Sequence, residues 1–167
     1  LNEEQVADTA ASDEEAVLEN KIAEYDAFLT KQAPAFTVEE LEEAMQKVMD
    51  QYAGGIGTHY QFNEKQLAMA EEKIKKLQIL AKGLAAADMH ELMFIYELKE
   101  RLTVCLTVIA HLRARKETRW HSFAENLDYP EKSDAWLCYV NSKKNGDQIT
   151  MIRRDLVKGG ETYEHRD

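Results

Sequence analysis

The histidines, cysteines and carboxylates of this chain are the residues that could do chemistry, and their spacing fits no common metal site. A di-iron bundle needs Glu-x-x-His on two helices, and no histidine here follows a glutamate by three residues. His90 and Glu91 begin like a zinc-protease helix, but Phe94 stands where the second histidine belongs. Cys105 and Cys138 lack Cys-x-x-Cys spacing, so they predict buried thiols. We expect no metal-binding residue.

Residues 116–136 are the least generic part of the chain, because aromatic and ionisable residues alternate there. Clusters of this kind usually hold an irregular connection onto a domain. His111 lies in an apolar stretch and predicts a core residue. His121 is the better functional candidate, since anion binding or proton transfer would use a histidine in such a loop. The structural or interface candidates are Glu117, Arg119, Trp120, His121, Asp128, Pro130 and Trp136.

Two structural roles are expected for these candidates. Glu117 and Arg119 are expected to organise the end of the helix that precedes them, because a carboxylate and a guanidinium form strong directional hydrogen bonds. The crossing from this helix to a C-terminal hairpin is expected to be fixed by a second group of residues. That group is Asp128, Tyr129, Pro130 and Trp136.

The net charge of −10 is concentrated in the first third of the chain. Residues 1–50 contain 14 acidic residues and three lysines, whereas the rest is nearly balanced. No nucleic-acid partner is expected, because polyphosphate binding needs a concentrated basic surface. The longest apolar run, residues 102–112, is too short for a transmembrane segment. With no visible signal peptide and no cysteine framework, the sequence predicts a cytoplasmic protein of one domain.

Capping signals place three helices after an initial one. The first helix is predicted from Glu14 to before Pro34, after an acidic lead-in at residues 1–12 that we expect to be flexible. Gly54 and Gly55 end the second helix, and since they follow a helix they are not a dinucleotide-binding loop. The caps of the second, third and fourth helices are Thr37 with Glu40, Asn63, and Asp88 with Glu91.

The third and fourth helices are expected to supply most of the core. The fourth runs to Arg115, with Leu92, Ile95 and Leu98 facing inward. Residues 102–112 are apolar nearly all round, so we expect other elements to surround them. The third helix carries one apolar seam at a spacing of three and four, formed by Leu67, Ala70, Ile74, Leu77, Ala81 and Leu84.

Beyond Pro130 the apolar period becomes two-fold, at residues 136–140 and 149–152, with Asn145-Gly146 between them. Asn-Gly between such runs predicts a hairpin. The expected fold is mainly α, a bundle of about four helices with a small C-terminal antiparallel β-hairpin. The bundle is expected at residues 13–130, the hairpin extension at 131–157 and a polar tail at 158–167.

The segment LMFIYELKERLTVCLTVIAHLRARKETRWHSFAENLDYP, residues 92–130, resembles the C-terminal region of the alpha subunits of dissimilatory adenylylsulfate reductases. These subunits belong to the fumarate reductase and succinate dehydrogenase flavoprotein family. The resemblance extends over residues 36–167 and includes MDQYAGG at 49–55 and DMHELM at 88–93. It is weak over residues 1–35.

In the wider flavoprotein family, the equivalent helix ends in an R-x-E-S-R-G-A-H type motif that D-x-P follows. Glu117 and Arg119 stand at matching positions, as do Asp128 and Pro130. Trp120 replaces the glycine, the spacing from arginine to aspartate is longer, and an asparagine at 126 stands where arginine is usual. These departures resemble the adenylylsulfate branch and speak against a fumarate-type role.

The resemblance implies a reaction in which a flavin reduces adenylylsulfate to AMP and sulfite, with electrons relayed by an iron–sulfur beta subunit. In that family the FAD-binding fold and the substrate-handling residues lie upstream of the helical domain. The resemblance therefore implies no catalytic or cofactor-binding residue here. It implies a helical cap domain, inactive by itself, whose partners are the flavin domain of the same parent chain and the beta subunit with its iron–sulfur clusters.

Two other interpretations stay open. The chain could be a stand-alone helical protein-interaction module, or the cap domain of a fumarate reductase or succinate dehydrogenase-like flavoprotein. The native open reading frame separates the first of these from the enzyme interpretation. A long upstream region with G-x-G-x-x-G after a strand indicates the enzyme, and a start codon near Leu1 indicates the module.

Overall fold

Four helices and a small C-terminal hairpin form the fold, which confirms the predicted class. The computed structural model describes residues 3–146 and 148–157, with side chains from residue 14 onward. The helices are α1 (Glu3–Leu29), α2 (Val38–Tyr52), α3 (Glu64–Ala81) and α4 (Met89–Ala114). The strands are β1 (Gln61–Phe62), β2 (Glu125–Asn126), β3 (Cys138–Asn145) and β4 (Gln148–Asp155). β1 pairs with β2 in parallel, and β3 pairs with β4 antiparallel.

Local capping contacts set the boundaries of α2 and α3 as predicted. The hydroxyl of Thr37 accepts a hydrogen bond from the backbone N–H of Glu40, whose carboxylate accepts one from the backbone N–H of Thr37. The side chain of Asn63 accepts one from the backbone N–H of Gln66. α2 ends before Gly54, whose φ of +76° lies in the left-handed region that favours glycine. These interactions involve sequence neighbours, which is why the sequence alone predicts them.

α4 is the central helix, because it packs against α1, α2, α3 and both hairpin strands. Its N-terminus is capped by Asp88, whose side chain accepts hydrogen bonds from the backbone N–H groups of His90 and Glu91. None of the helices among residues 3–157 that are described has the apolar length needed to cross a membrane. The predicted inward residues are all buried: Leu67, Ala70, Ile74, Leu77, Ala81 and Leu84 from the α3 seam, and Leu92, Ile95 and Leu98 of α4.

The prediction that residues 102–112 are surrounded by other elements is wrong. Leu102 and Ile109 are buried, but Val104 is 60% exposed and Val108 is 41% exposed. The neighbouring helices and the hairpin cover only part of the circumference of α4. An apolar composition shows which side chains can be buried, but it does not supply the neighbours that bury them.

α1 begins at Glu3, so the predicted helix start at Glu14 is wrong. Residues 3–13 contain neither glycine nor proline and include several good helix formers, so nothing in them stops the helix. The C-terminal end of α1 packs on the bundle, where the backbone N–H of Ala86 donates to the carbonyl of Phe28 at 3.0 Å. The flexibility of residues 1–12 and the domain boundaries stay predictions.

The hairpin is confirmed, with Asn145 opposite Gln148 and Gly146 in the left-handed region at a φ of +59°. Its first strand begins at Cys138, two residues later than predicted, because Trp136 lies in a short 3-10 turn, Asp134–Trp136. β3 extends further toward the turn than the apolar pattern indicates, to Asn145. β4 begins one residue earlier and ends three residues later than the pattern indicates. The polar tail predicted at residues 158–167 lies outside the described residues.

Replacing Ile95 by alanine tests the orientation of α4. Ile95 is 0% exposed, so the truncation should lower the free energy of unfolding by about 2–5 kcal/mol. Val104→Ala, on the same helix, should change it by less than about 0.5 kcal/mol. Both values can be measured by denaturant unfolding. Equal losses in the two variants would show that residues 102–112 are surrounded after all.

Candidate functional site

A buried carboxylate joins the end of α4 to the entry of the hairpin. The side chain of Glu117 is 0% exposed. It accepts hydrogen bonds from Arg119 at 2.8 and 2.9 Å, from Arg115 at 2.6 Å and from the backbone N–H of Ser133 at 2.9 Å. Arg119 binds both carboxylate oxygens, which is the strong bidentate geometry. We call these four residues the Glu117 cluster.

The surroundings of Glu117 keep its carboxylate ionised. Burial alone raises the pKa of this group, because it disfavours the charged form. The hydrogen bonds from Arg119, from the backbone N–H of Ser133 and from Arg115 together outweigh burial and lower the pKa to about 2. The carboxylate is therefore a structural ion that stabilises this junction. Because Glu117 is ionised at neutral pH, it does not act as a proton donor there.

Arg115 and Trp136 attach the hairpin to α4. The guanidinium of Arg115 donates to the carbonyl oxygens of Trp136 at 2.9 Å and Cys138 at 3.1 Å. Two guanidinium groups lie over the indole ring of Trp136. The Arg115 guanidinium is 5.9 Å from the ring centroid, and the Arg153 guanidinium is 4.3 Å from it. These contacts place Trp136 at the crossing to the hairpin, and Arg119 donates a further hydrogen bond to the carbonyl of Ser133 at 3.2 Å.

A second buried contact shapes the loop that follows the Glu117 cluster. The hydroxyl of Thr118 accepts from the backbone N–H of Asn126 at 2.9 Å and donates to the carbonyl of Tyr129 at 2.9 Å. The backbone N–H of Thr118 donates to the carbonyl of Glu131 at 3.2 Å. Thr118 and Asn126 are both buried. The hydroxyl and the backbone N–H of Thr118 thus together close residues 118–131 into a loop of defined shape.

Asp128 anchors this loop to the start of α3, whereas the sequence suggests a role at the hairpin crossing. Its carboxylate accepts from the backbone N–H of Glu64 at 2.7 Å, at the positive end of the helix dipole. The β1–β2 pairing adds bonds from the backbone N–H of Glu125 to the carbonyl of Tyr60 and from that of Leu127 to the carbonyl of Phe62. The loop therefore has a fixed position on the helical bundle.

The outer side of the loop, residues 120–129, presents large apolar side chains to solvent. We call it the aromatic loop. Trp120 is 69% exposed and Phe123 is 74% exposed, although the backbone N–H of Phe123 donates to the carbonyl of Trp120 at 2.9 Å. Pro130, directly after the loop, is also exposed. Exposed rings on a backbone with so many fixed bonds are typical of a docking surface.

His121 lies on this open surface, with its Nδ1 3.5 Å from a carboxylate oxygen of Glu125. Its side chain is 62% exposed, so solvent surrounds the group that could transfer a proton. Within the described ranges, no three histidines, cysteines or carboxylates converge to hold a metal ion. The arrangement can present a rigid surface to another protein.

Sequence reasoning assigned Glu117 and Arg119 to the junction but missed Arg115, Thr118 and Ser133. Basic residues at the end of a helix usually interact with the helix dipole, so Arg115 does not stand out from Arg113 and Lys116. The Arg-x-Glu-x-Arg spacing of residues 115–119 was a usable signal, since both guanidinium groups can reach the carboxylate between them. Ser133 contributes its backbone N–H, from 16 positions after Glu117. A backbone contact at this distance cannot be predicted from the type of the residue.

A family model described as the C-terminal part of fumarate reductase flavoproteins matches residues 42–161. The adenylylsulfate reductase subunit alpha of Megalodesulfovibrio gigas is 34% identical over 98 residues, which are 58% of this chain and 15% of that subunit. The chain thus spans a small part of the curated relative that it matches.

Solved structures show the same relationship. The adenylylsulfate reductase of Archaeoglobus fulgidus aligns with a TM-score of 0.80 and 32% identity, over 90% of this chain and 26% of that chain. An adenosine-5-phosphosulfate reductase in complex with sulfite gives the same values. The quinol fumarate reductase of E. coli aligns with a TM-score of 0.67 and 19% identity, over 98% of this chain and 27% of that chain. The last likeness concerns the fold alone.

Acid unfolding tests the ionised state of Glu117. Its pKa in the folded protein, about 2, lies below its ordinary value of 4.5, so its contribution is present above pH 4.5 and is lost as the pH falls toward 2. The full contribution is about 3 kcal/mol. Glu117→Gln should lower the free energy of unfolding at neutral pH by about that amount and by much less near pH 3.

The difference between the original protein and Glu117→Gln at each pH isolates this group, because Glu24, whose pKa is also about 2, remains in both. Denaturant unfolding across the acid range provides the measurement. A difference that stays constant with pH would contradict the role given to the carboxylate.

Arg119→Ala should lower the melting temperature, because it removes two of the hydrogen bonds that hold the buried carboxylate. Arg101→Ala serves as a matched control, since Arg101 is 48% exposed and pairs with glutamates on the surface. Thermal unfolding followed by circular dichroism compares the two. An unchanged melting temperature in Arg119→Ala would count against the Glu117 cluster as the organiser of this junction.

Proposed function

The chain belongs to the fumarate reductase flavoprotein C-terminal family, and on this basis we propose that it is the C-terminal helical domain of the alpha subunit of an adenylylsulfate reductase. The proposed parent enzyme reduces adenylylsulfate to AMP and sulfite with two electrons. Its FAD is held by another domain of the same subunit, and an iron–sulfur beta subunit supplies the electrons. The proposed location is the cytoplasm, because Cys105 and Cys138 are both free thiols.

The likeness to adenylylsulfate reductase across sequence and fold carries this proposal. The Archaeoglobus fulgidus enzyme has a higher identity and a higher TM-score than the E. coli fumarate reductase, 32% and 0.80 against 19% and 0.67. The curated relative, at 34% identity, is also an adenylylsulfate reductase alpha subunit. These values favour the adenylylsulfate branch over the fumarate branch of the family.

The glycine-containing turn at residues 54–57 does not fit a flavin dinucleotide. The glycines of residues 54–57 face a carboxylate: Asp50 Oδ1 accepts from the backbone N–H of Gly57 at 2.9 Å. A Cβ added at Gly55 would lie 2.4 Å from the Cα of Asp50, so the close approach that these glycines permit is to their own helix. A phosphate would meet a negative charge at this place. This observation supports the proposal that another domain of the subunit binds the FAD.

The role proposed for the domain is to pack beside the flavin-binding part of the subunit, with the aromatic loop as the contact. Trp120 and Phe123 are more exposed than the other aromatic residues of the described chain. The Glu117 cluster and Thr118 hold the loop that carries them, so little conformational entropy is lost on docking. Val104 and Val108 of α4 are also exposed, and the rest of the parent subunit could pack against them.

Expression of the gene from its native start tests the enzyme assignment, with intact mass and visible absorbance as readouts. We expect a yellow polypeptide much larger than 19.2 kDa that reduces adenylylsulfate when it is paired with its beta subunit. A colourless product of about the mass of this chain would overturn the assignment and favour a stand-alone interaction module. Reduction of fumarate in place of adenylylsulfate would place the chain in the fumarate branch.

Replacing both Trp120 and Phe123 by alanine in that full-length polypeptide tests the docking surface. We expect bound flavin to be released at a lower temperature, because the contact with the flavin-binding part loses two large apolar anchors. Tyr139→Ala is the matched control, since Tyr139 is an aromatic residue that is 54% exposed on the hairpin. Flavin fluorescence during heating reports the release. If the double variant and the control keep their flavin equally well, the aromatic loop is not the contact.

A further inference from the structure

The β3–β4 hairpin lies along α4 without filling the space between them. The inward-facing Ile149 and Met151 of β4 are only half-buried. Two adjoining clefts of about 840 and 590 Å³ lie between the hairpin and the helices and share Lys75, Leu106, Gln148 and Ile149 as lining. We call them together the hairpin groove. Its floor includes the apolar side chains of Leu106, Ile109 and Ile149.

Basic side chains surround the hairpin groove, although the whole chain has a net charge of −10. They are Lys31, Lys75, Lys82, Lys99, Arg113, Lys116 and Lys144. The lining contains three acidic residues, and each of them forms ion pairs with basic residues of the groove. Glu24 pairs with Lys99, and Glu71 pairs with Lys75 and Arg113. Glu64 pairs with Arg113 and Lys116. Basic residues therefore outnumber the acids that neutralise them.

Among the described residues, the lysines without an acidic partner lie at one end of the groove, beside the hairpin turn. Within the described ranges, Lys82 and Lys144 have no acidic partner, and Lys31 donates to the carbonyl of Lys82 at 3.0 Å. A concave surface of one charge sign focuses its electrostatic potential and attracts the opposite charge. The chemistry of the groove thus combines an apolar floor with an anion-attracting rim.

The length of the groove decides between a small anion and a polypeptide. From Lys99, in the first cleft, to Arg113, in the second, α4 rises about 21 Å. This distance corresponds to about six residues of extended chain, and a single phosphate would occupy only one end of it. Among the described residues that line the groove, Phe28 is the only aromatic one and is 5% exposed, so they offer little stacking surface for nucleic-acid bases.

We infer that the hairpin groove binds an extended segment of a separate polypeptide in which acidic side chains alternate with apolar ones. In an extended chain, successive side chains point to opposite faces, so the apolar residues face the floor while the acidic residues face the lysines of the rim. The inference rests on the groove of this chain and does not depend on the proposed function.

Fluorescence polarisation with the 167-residue chain and a labelled octapeptide of alternating leucine and glutamate tests the inference. We expect saturable binding that Lys82→Glu and Lys144→Glu each weaken about fivefold or more. Lys65→Glu is the matched control, because Lys65 is exposed and does not line the groove, and it should leave the affinity unchanged. Circular dichroism should show the same thermal unfolding for all three variants.

Two further probes test the chemistry of the ligand. A peptide with serine in place of leucine should bind at least about fivefold more weakly, because it loses the contact with the apolar floor. AMP, inorganic phosphate and a single-stranded thymidine oligomer should fail to displace the labelled peptide. Displacement by AMP or phosphate would show a small-anion site, and displacement by the oligomer would show a nucleic-acid site. Either result overturns the inference.

The remaining outcomes are also decisive. Absence of binding, or equal weakening by Lys65→Glu, would overturn the inference, because the groove would then not be the binding site. The polypeptide expressed from the native start should bind the labelled peptide as this chain does. If it does not, its groove is filled by a segment of the same polypeptide, and the separate partner is excluded. This result leaves the enzyme assignment untouched, since absorbance and activity measure that independently.

Discussion

The burial of one carboxylate is the constraint on which the aromatic loop and the entry to the hairpin depend. An ionised group that loses its partners inside a protein costs several kcal/mol, so the groups that bind Glu117 must stay in place while it is buried. Those groups come from three segments: Arg115 follows α4, Arg119 precedes the aromatic loop, and Ser133 precedes the hairpin. One ion therefore fixes the relative position of all three.

The loop between these segments inherits its shape from that constraint. Thr118 closes it from the inside, and Asp128 attaches it to the N-terminus of α3. The polar groups of the loop thus form hydrogen bonds on its inner side, while Trp120 and Phe123 are exposed on its outer side. Such a division suits a domain that presents a contact surface to another protein.

The sequence predicts features that depend on neighbours in the chain, and it fails where distant segments decide. The cap of Thr37 with Glu40 and the Asn145-Gly146 turn are local, and the structure confirms both. The exposure of Val104 could not be predicted, because apolar periodicity does not reveal which face of α4 lacks a neighbour. The contact of Asp128 with α3 spans 64 positions, and only the folded chain brings these groups together.

Hydroxyl-radical footprinting with mass spectrometry tests most directly whether the aromatic loop is a docking surface. The oxidation of Trp120 and Phe123 would be compared in this chain and in the polypeptide expressed from its native start, with Tyr139 as an internal reference. We expect both rings to react readily in this chain and to be strongly protected in the longer polypeptide, while Tyr139 reacts alike in both. Equal oxidation of Trp120 and Phe123 in the two samples would contradict a docking role for the loop.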